Sequence, residues 1–184
     1  MLKQLIQFEA LYQLKQRSFI FLSLIFFFYG LVITADNIGE GMELLNNNSP
    51  YRLSFFISLT SISAVLIASL FCVNSVLRDE QYQFETITGF LSVDKRFISR
   101  LIIALVTVVF VVSLISLGML AGLLSPELDR DKVVAIELLD YIKPWLIFVL
   151  PNAFFSSVFL FTVSYRWKSA VITYLSAVIL FIVF

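Results

Sequence analysis

Five long runs without a charged residue constrain this chain more than any other feature of its sequence. Every Asp, Glu, Lys and Arg lies outside them. At about 1.5 Å per residue, a helix needs about 20 residues to cross about 30 Å of hydrocarbon. Runs of this length and composition predict membrane-spanning helices. The predicted spans cover residues 18–35, 53–77, 101–124, 145–165 and 169–184.

The composition argues against a soluble protein. Apolar residues make up 60% of the chain and charged residues 14%, whereas soluble domains are near half apolar and a quarter charged. A soluble fold would have to bury five helices that are hydrophobic on every side. We therefore expect an all-α fold, a polytopic bundle of transmembrane helices over residues 18–184. The last run ends with no polar cap, and we expect this chain to be the N-terminal part of a longer protein.

The basic residues predict which way the bundle is inserted. Lys and Arg near the ends of membrane spans favour the cytoplasmic side. With the N-terminus inside, nine of the 13 basic residues lie in the inner segments, whereas most acidic residues lie in the outer ones. This places the N-terminus and the loop 78–100 in the cytoplasm.

Two segments outside the spans are predicted to be helical. Residues 1–17 form a helix that lies on the inner membrane surface, although Glu9 and Gln16 interrupt its apolar arc. The alternative is a polar lead-in to the first span. On the outer side, Ser125, Pro126 and Glu127 make a good helix start, so a helix is expected over about 126–142. The apolar arc of residues 1–17 contains Met1, Leu2, Leu5, Ile6, Phe8 and Tyr12.

Small residues within the spans predict close helix packing. A stripe of small side chains recurs every three or four residues along the second span, and the third span has a GxxxG motif. Pro151 removes a backbone hydrogen bond and predicts a kink in the fourth span. The packing residues singled out are Ser58, Ser61, Ala64, Ala68, Gly118 and Gly122.

The sequence offers little for catalysis. It has no histidine and one cysteine, Cys72, and it lacks the motifs for nucleotide phosphates, nucleophilic serine and zinc. We expect no catalytic, cofactor or metal site and no nucleic-acid partner. No carboxylate lies within a span, whereas ion-driven transporters usually keep ionisable groups there. If the protein moves a substrate uphill, the energy should come from a partner.

The stretch "RDEQYQFETITGFLSVDKR", residues 78–96, is long and charged for a simple connection. Residues 79–88 are predicted to form a short helix, because Phe84, Ile87 and Leu91 share one face and Gly89 is a natural stop. It is interpreted as a docking surface. The alternative is a solvated loop whose aromatic rings rest among lipid headgroups.

Three pieces of the chain resemble a known family. They are the loop with Arg78, Asp79 and Glu80 followed by "FETITGFL" and basic residues, the "SFIFLSLIFFFYG" of the first span, and "LPNAFF" at 150–155. Together they resemble the long-permease branch of the ABC-2 type transporter permeases.

The resemblance implies a non-catalytic transmembrane subunit of an exporter in the cytoplasmic (inner) membrane. It implies a separate ABC ATPase subunit as partner, and a second permease half or a second copy of the chain. The loop would be the coupling helix that docks on the ATPase. The alternative is a membrane anchor or assembly protein for an enzymatic domain beyond residue 184. The residues implied to contact the ATPase are Asp79, Glu80, Tyr82, Phe84, Glu85, Ile87 and Phe90.

Overall fold

The computed structural model of the protein describes residues 2–35, 45–82, 93–126, 128 and 130–183, and within them it contains helices but no strand. We number the α-helices in chain order. They are α1 Leu2–Leu14, α2 Arg17–Ala35, α3 Pro50–Ser61, α4 Ala64–Tyr82, α5 Val93–Gly122, α6 Leu138–Pro144, α7 Leu150–Trp167 and α8 Ala170–Val183. A 3₁₀ turn covers Arg130–Lys132, and a π-helical turn covers Trp145–Val149.

Four helical stretches are long and apolar enough to cross a membrane, which indicates a membrane protein. They are Arg17–Ala35, Pro50–Arg78, Lys95–Gly122 and Leu138–Trp167. The four correspond to the first four predicted spans, with shifted ends. The fifth span stays a prediction, because α8 has 14 residues and would extend over only about 21 Å.

α2 and α5 run side by side in the same direction and in a fixed register. Phe19 stacks on Phe110 with ring centroids 5.8 Å apart. Further along, Gly118 lies against Phe27, and Gly122 lies against Leu31. Glycine lets two helix backbones approach closely in a membrane, where packing rather than water expulsion holds helices together. The GxxxG residues therefore lie in a contact within the chain.

α1 continues the line of α2 and packs along α5. Arg100 Nε donates to Glu9 Oε1 across 91 residues, and the Phe19–Phe110 contact has the same sequence offset. Backbone hydrogen bonds from Lys15 to Leu11 and from Phe19 to Gln16 carry the helical path through the short break after α1. α1 thus runs along α5, and the surface helix expected for residues 1–17 stays a prediction.

The second span is broken into α3 and α4 by a turn at Ile62–Ser63. On either side of the turn, Ser61, Ala64 and Ala68 are fully buried. Ser58 is half-buried and donates from Oγ to the Phe55 carbonyl oxygen at 2.8 Å. Below the break α4 packs mainly against α7 and also against α5 and α8, so its small residues face other helices.

The segment before α6 differs from the outer helix expected over about 126–142. Residues 133–137 have no helical structure, and α6 begins only at Leu138. Asn48 explains part of the difference, because its side chain donates to the Val134 carbonyl at 2.6 Å and accepts from the Val134 amide at 2.9 Å. These bonds replace the ones that a helix would give Val134, whose β-branched side chain also disfavours a helix.

Candidate functional site

A buried cluster of charges joins three helices at the end of the bundle that is predicted to be cytoplasmic. Arg78 Nη2 and Arg100 Nε bond to the same oxygen of Glu9, Oε1, at 2.6 and 3.1 Å. Glu9 is 3% exposed and Arg78 5% exposed. Buried charges are stable only when they are paired and hydrogen-bonded, so α1, α4 and α5 are held together at this point.

Aromatic rings complete the cluster around Arg78. Its guanidinium carbon lies 4.2 Å from the centre of the Tyr12 ring and 5.6 Å from the centre of the Phe8 ring. A guanidinium over an aromatic face gains about 0.5–2 kcal/mol, more when water is excluded. Both rings belong to α1, so the N-terminal helix contacts Arg78 through a carboxylate and two aromatic side chains.

Polar contacts continue along the same face of α1. Gln13 Nε2 donates to Ser75 Oγ at 2.6 Å, and Asn74 Nδ2 donates to Gln16 Oε1 at 3.3 Å. On the opposite face, Leu11 and Leu14 are exposed. Lys3, Gln4 and Gln7 of α1 are exposed as well, so the outer side of the helix is mixed. The buried side is polar, and its polar groups are bonded to α4 and α5.

The cluster holds both ends of the charged loop. Arg78 lies in the last turns of α4, which ends at Tyr82, and Arg100 lies near the start of α5, which begins at Val93. The segment 83–92 leaves one helix and enters the other between these two arginines. Because one carboxylate oxygen accepts from both, the two ends of the loop cannot separate without breaking a buried ion pair.

The predicted docking residues lie at and beyond the edge of the described structure. The backbone of Asp79, Glu80 and Tyr82 continues α4, so the chain is helical there as an extension of the second span. The side chains of these three residues lie outside what is described. Phe84, Glu85, Ile87 and Phe90 lie wholly outside the described residues, and their docking role stays a prediction.

Pro151 lies next to a change in helix geometry. The helix is π-helical over Trp145–Val149, and the Leu150 amide donates to the Trp145 carbonyl, five residues back. The neighbouring Asn152 donates from Nδ2 to Ser61 Oγ at 2.7 Å. The predicted kink at Pro151 thus lies just after a π-helical turn, and Asn152 joins the start of α7 to the end of α3.

Sequence reasoning did not identify the Glu9 cluster as a site. Glu9 and Gln16 were interpreted as interruptions of an apolar arc. The available signal was their spacing, since Glu9, Gln13 and Gln16 recur at four and three residues and so share one helical face. In the sequence Arg78 and Arg100 indicate the direction of insertion and belong to the loop that carries the resemblance; in the structure they also provide partners for that face.

In the described ranges, no group of three or more His, Cys, Asp or Glu side chains could hold a metal ion. Cys72 is buried, and its Sγ lies 3.8 Å from the Ser157 carbonyl oxygen. Comparison with protein-family models, with curated proteins and with solved structures gives no match.

Proposed function

We propose that the protein is the transmembrane permease subunit of an ABC-type exporter in the inner membrane, driven by a separate ATPase that docks on the loop after α4. One observation carries the proposal. Glu9 bonds to Arg78 and Arg100, which flank that loop on both sides. A force applied to the loop would therefore move α1, α4 and α5 together instead of bending one helix.

The helices that leave the cluster are suited to transmit such a displacement. α5 is continuous for 30 residues, or about 45 Å, which is enough to carry motion from the loop to the far side of a bilayer. α2 lies against α5 through three glycine contacts, at Gly30, Gly118 and Gly122, so the two would move as one rod. Rigid-body movement of helices that follows closure of a partner is an established form of switching.

The remaining parts of the proposal come from the family resemblance. The second permease half, or a second copy of the chain, would complete the passage. The substrate would move outward, and ATP would be bound and hydrolysed by the partner. The chain itself carries out no chemical reaction in this scheme.

Affinity purification from native membranes tests the proposal. A tagged chain should bring down an ATP-hydrolysing subunit. Charge reversal of Asp79→Lys with Glu85→Lys should abolish the association and uncouple ATP hydrolysis from transport, while insertion into the membrane stays intact. The matched control reverses Glu137→Lys with Asp140→Lys at the opposite end of the bundle, and it should retain the ATPase.

Two outcomes would count against this function. If no ATPase accompanies the wild-type chain, the alternative of a membrane anchor or assembly protein for an enzymatic domain gains support. If the Asp79/Glu85 double variant retains both the ATPase and full transport, the loop is not the docking surface.

A further inference from the structure

Two spans are interrupted where they touch each other. The second span is interrupted at Ile62–Ser63, between α3 and α4. The fourth span has its π-helical turn at Trp145–Val149. Ser61 and Asn152 stand directly beside these interruptions, and Asn152 Nδ2 donates to Ser61 Oγ at 2.7 Å. The two irregular points therefore lie at the same depth in the bundle.

Local hydrogen bonds let the second span break inside the membrane. Thr60 Oγ1 donates to the Phe56 carbonyl at 2.7 Å, and Ser61 Oγ donates to the Ser58 carbonyl at 2.6 Å. Ser63 Oγ donates to the Thr60 carbonyl. Hydroxyls that bond to carbonyls in the preceding turn often bend a helix. The run of such bonds therefore marks residues 60–63 as a weak point in the second span.

The fourth span is irregular for a different reason. Pro151 has no amide hydrogen, so the α-helical bond to the fourth residue before it is missing. The chain accommodates the loss with one π-helical turn, in which Leu150 bonds back to Trp145. π-helical turns inside α-helices are weak points that occur often at functional sites.

The two halves of each broken span have different main neighbours. On the side predicted to be outer, α3 packs against α6 and the π-helical turn. On the other side, α4 packs against α7 and α8. The contacts therefore group α3 with α6 and the π-helical turn, and α4 with α7.

Open space adjoins both interruptions. A groove of about 370 Å³ next to the break is lined by Thr60, Ile62 and Ser63 together with Phe181 of α8. A second groove, of about 430 Å³, follows the π-helical turn and is lined by Phe154 and residues of α5. Close-packed interiors resist movement, whereas apolar grooves open to the bilayer let a helix move by displacing lipid chains.

We infer that the bundle contains a hinge: α3, α6 and the π-helical turn swing as one unit relative to α4 and α7, about the Ser61–Asn152 bond. α3 has 12 residues, or about 18 Å. A kink change of about 20° would then move its first turn by about 6 Å. Such a motion would open or close the outer half of the bundle while the Glu9 cluster at the other end stays intact.

Spin-label distances in the isolated protein, reconstituted in lipid nanodiscs, test the hinge. All variants carry Cys72→Ala, so that the spin labels attach only to the introduced cysteines. One pair of labels replaces the exposed residues Tyr51 and Leu66, on either side of the break. A second pair replaces the exposed residues Leu139 and Phe154, on either side of the π-helical turn. The control pair is Ile102 and Leu117, also exposed, on the continuous helix α5. The two labels of every pair are 15 residues apart in the sequence.

The hinge predicts distance distributions across both interruptions that are broader than that of the control pair. A fourth pair, Tyr51 with Leu139, should stay narrow, because both positions belong to one unit. Ser61→Ala with Asn152→Ala removes a bond between the two units, so it should broaden the two interrupted pairs further and leave the Tyr51–Leu139 pair and the control pair unchanged, which also shows that the fold survives.

The inference fails if both interrupted pairs are as narrow as the Ile102–Leu117 pair in the wild type and in the double variant. It also fails if the Tyr51–Leu139 pair is as broad as the interrupted pairs in the wild type. The measurement uses no ATPase, so its outcome is independent of the purification experiment that tests the proposed function.

Discussion

Gly118 lies so close to α2 that a Cβ atom added to it would stand 2.1 Å from the carbonyl oxygen of Phe27. The neighbouring atom belongs to a backbone, which cannot rotate away as a flexible side chain could. The contact therefore fixes the distance between the first and third spans. At Gly122, the corresponding distance to the Leu31 carbonyl oxygen is 2.7 Å, so that site is slightly less crowded.

Replacing Gly118 should separate α2 from α5. We expect Gly118→Ala to destabilise the protein by about 1–3 kcal/mol, the usual cost of overpacking, and Gly122→Ala to cost less. Thermal unfolding in detergent measures both. Leu117→Ala is the control, because Leu117 is 53% exposed and should change the melting temperature little. Equal stability of Gly118→Ala and wild type would contradict the close contact.

The Glu9 cluster should affect both the stability of the protein and the coupling of ATP hydrolysis to transport. Glu9→Ala removes the shared acceptor of two buried arginines, and breaking a buried ion pair typically costs about 3–5 kcal/mol. We expect α1 to become sensitive to trypsin and ATP-driven transport to fall, while the ATPase still binds the loop. Protease protection and transport assays in vesicles measure the two effects.

The control for this experiment is Gln7→Ala, since Gln7 is exposed on the same helix. It should leave protease protection and transport unchanged. If Glu9→Ala behaves like Gln7→Ala, the cluster neither anchors α1 nor transmits force from the loop.

At the end of the bundle opposite the Glu9 cluster, we expect substitutions of Asn48 to destabilise the protein. Its amide makes two bonds to the backbone of Val134, and losing a bond that leaves a buried partner unsatisfied costs about 1–3 kcal/mol. Asn48→Asp keeps an acceptor for the Val134 amide but loses the donor to its carbonyl, so we expect it to be less damaging than Asn48→Ala. Unfolding midpoints rank the two variants.

A neighbouring asparagine provides the comparison. Asn46 is half-buried, and no side-chain hydrogen bond is found for it among the described parts of the chain. Asn46→Ala should therefore be close to wild type. If Asn48→Ala is equally mild, the side-chain pairing does not explain why residues 133–137 are extended.

The sequence predicted the helices well, because composition alone shows which segments are apolar enough to be stable in hydrocarbon. The absence of charge from residues 18–35 and 101–124 located α2 and most of α5. The GxxxG spacing also indicated that Gly118 and Gly122 share one face. Both signals are local and need no knowledge of neighbouring helices.

Three features required information that a single stretch does not contain. The direction of the polar face of α1 depends on Arg78 and Arg100, which lie far along the chain. The break after Ser61 depends on hydroxyl bonds and on Asn152 across the contact. The extended shape around Val134 depends on Asn48. In each case a polar side chain on one element determines the conformation of another.

The proposed function requires the loop between α4 and α5 to face the compartment that contains the driving ATPase. A single cysteine at Glu85→Cys, in a Cys72→Ala background, reports this directly when cells are treated with a membrane-impermeant maleimide. Ala135→Cys, on the side predicted to be outer, provides the opposite reference. The account predicts labelling at position 85 only after the cells are lysed, and labelling at position 135 in intact cells; labelling at position 85 in intact cells would contradict it.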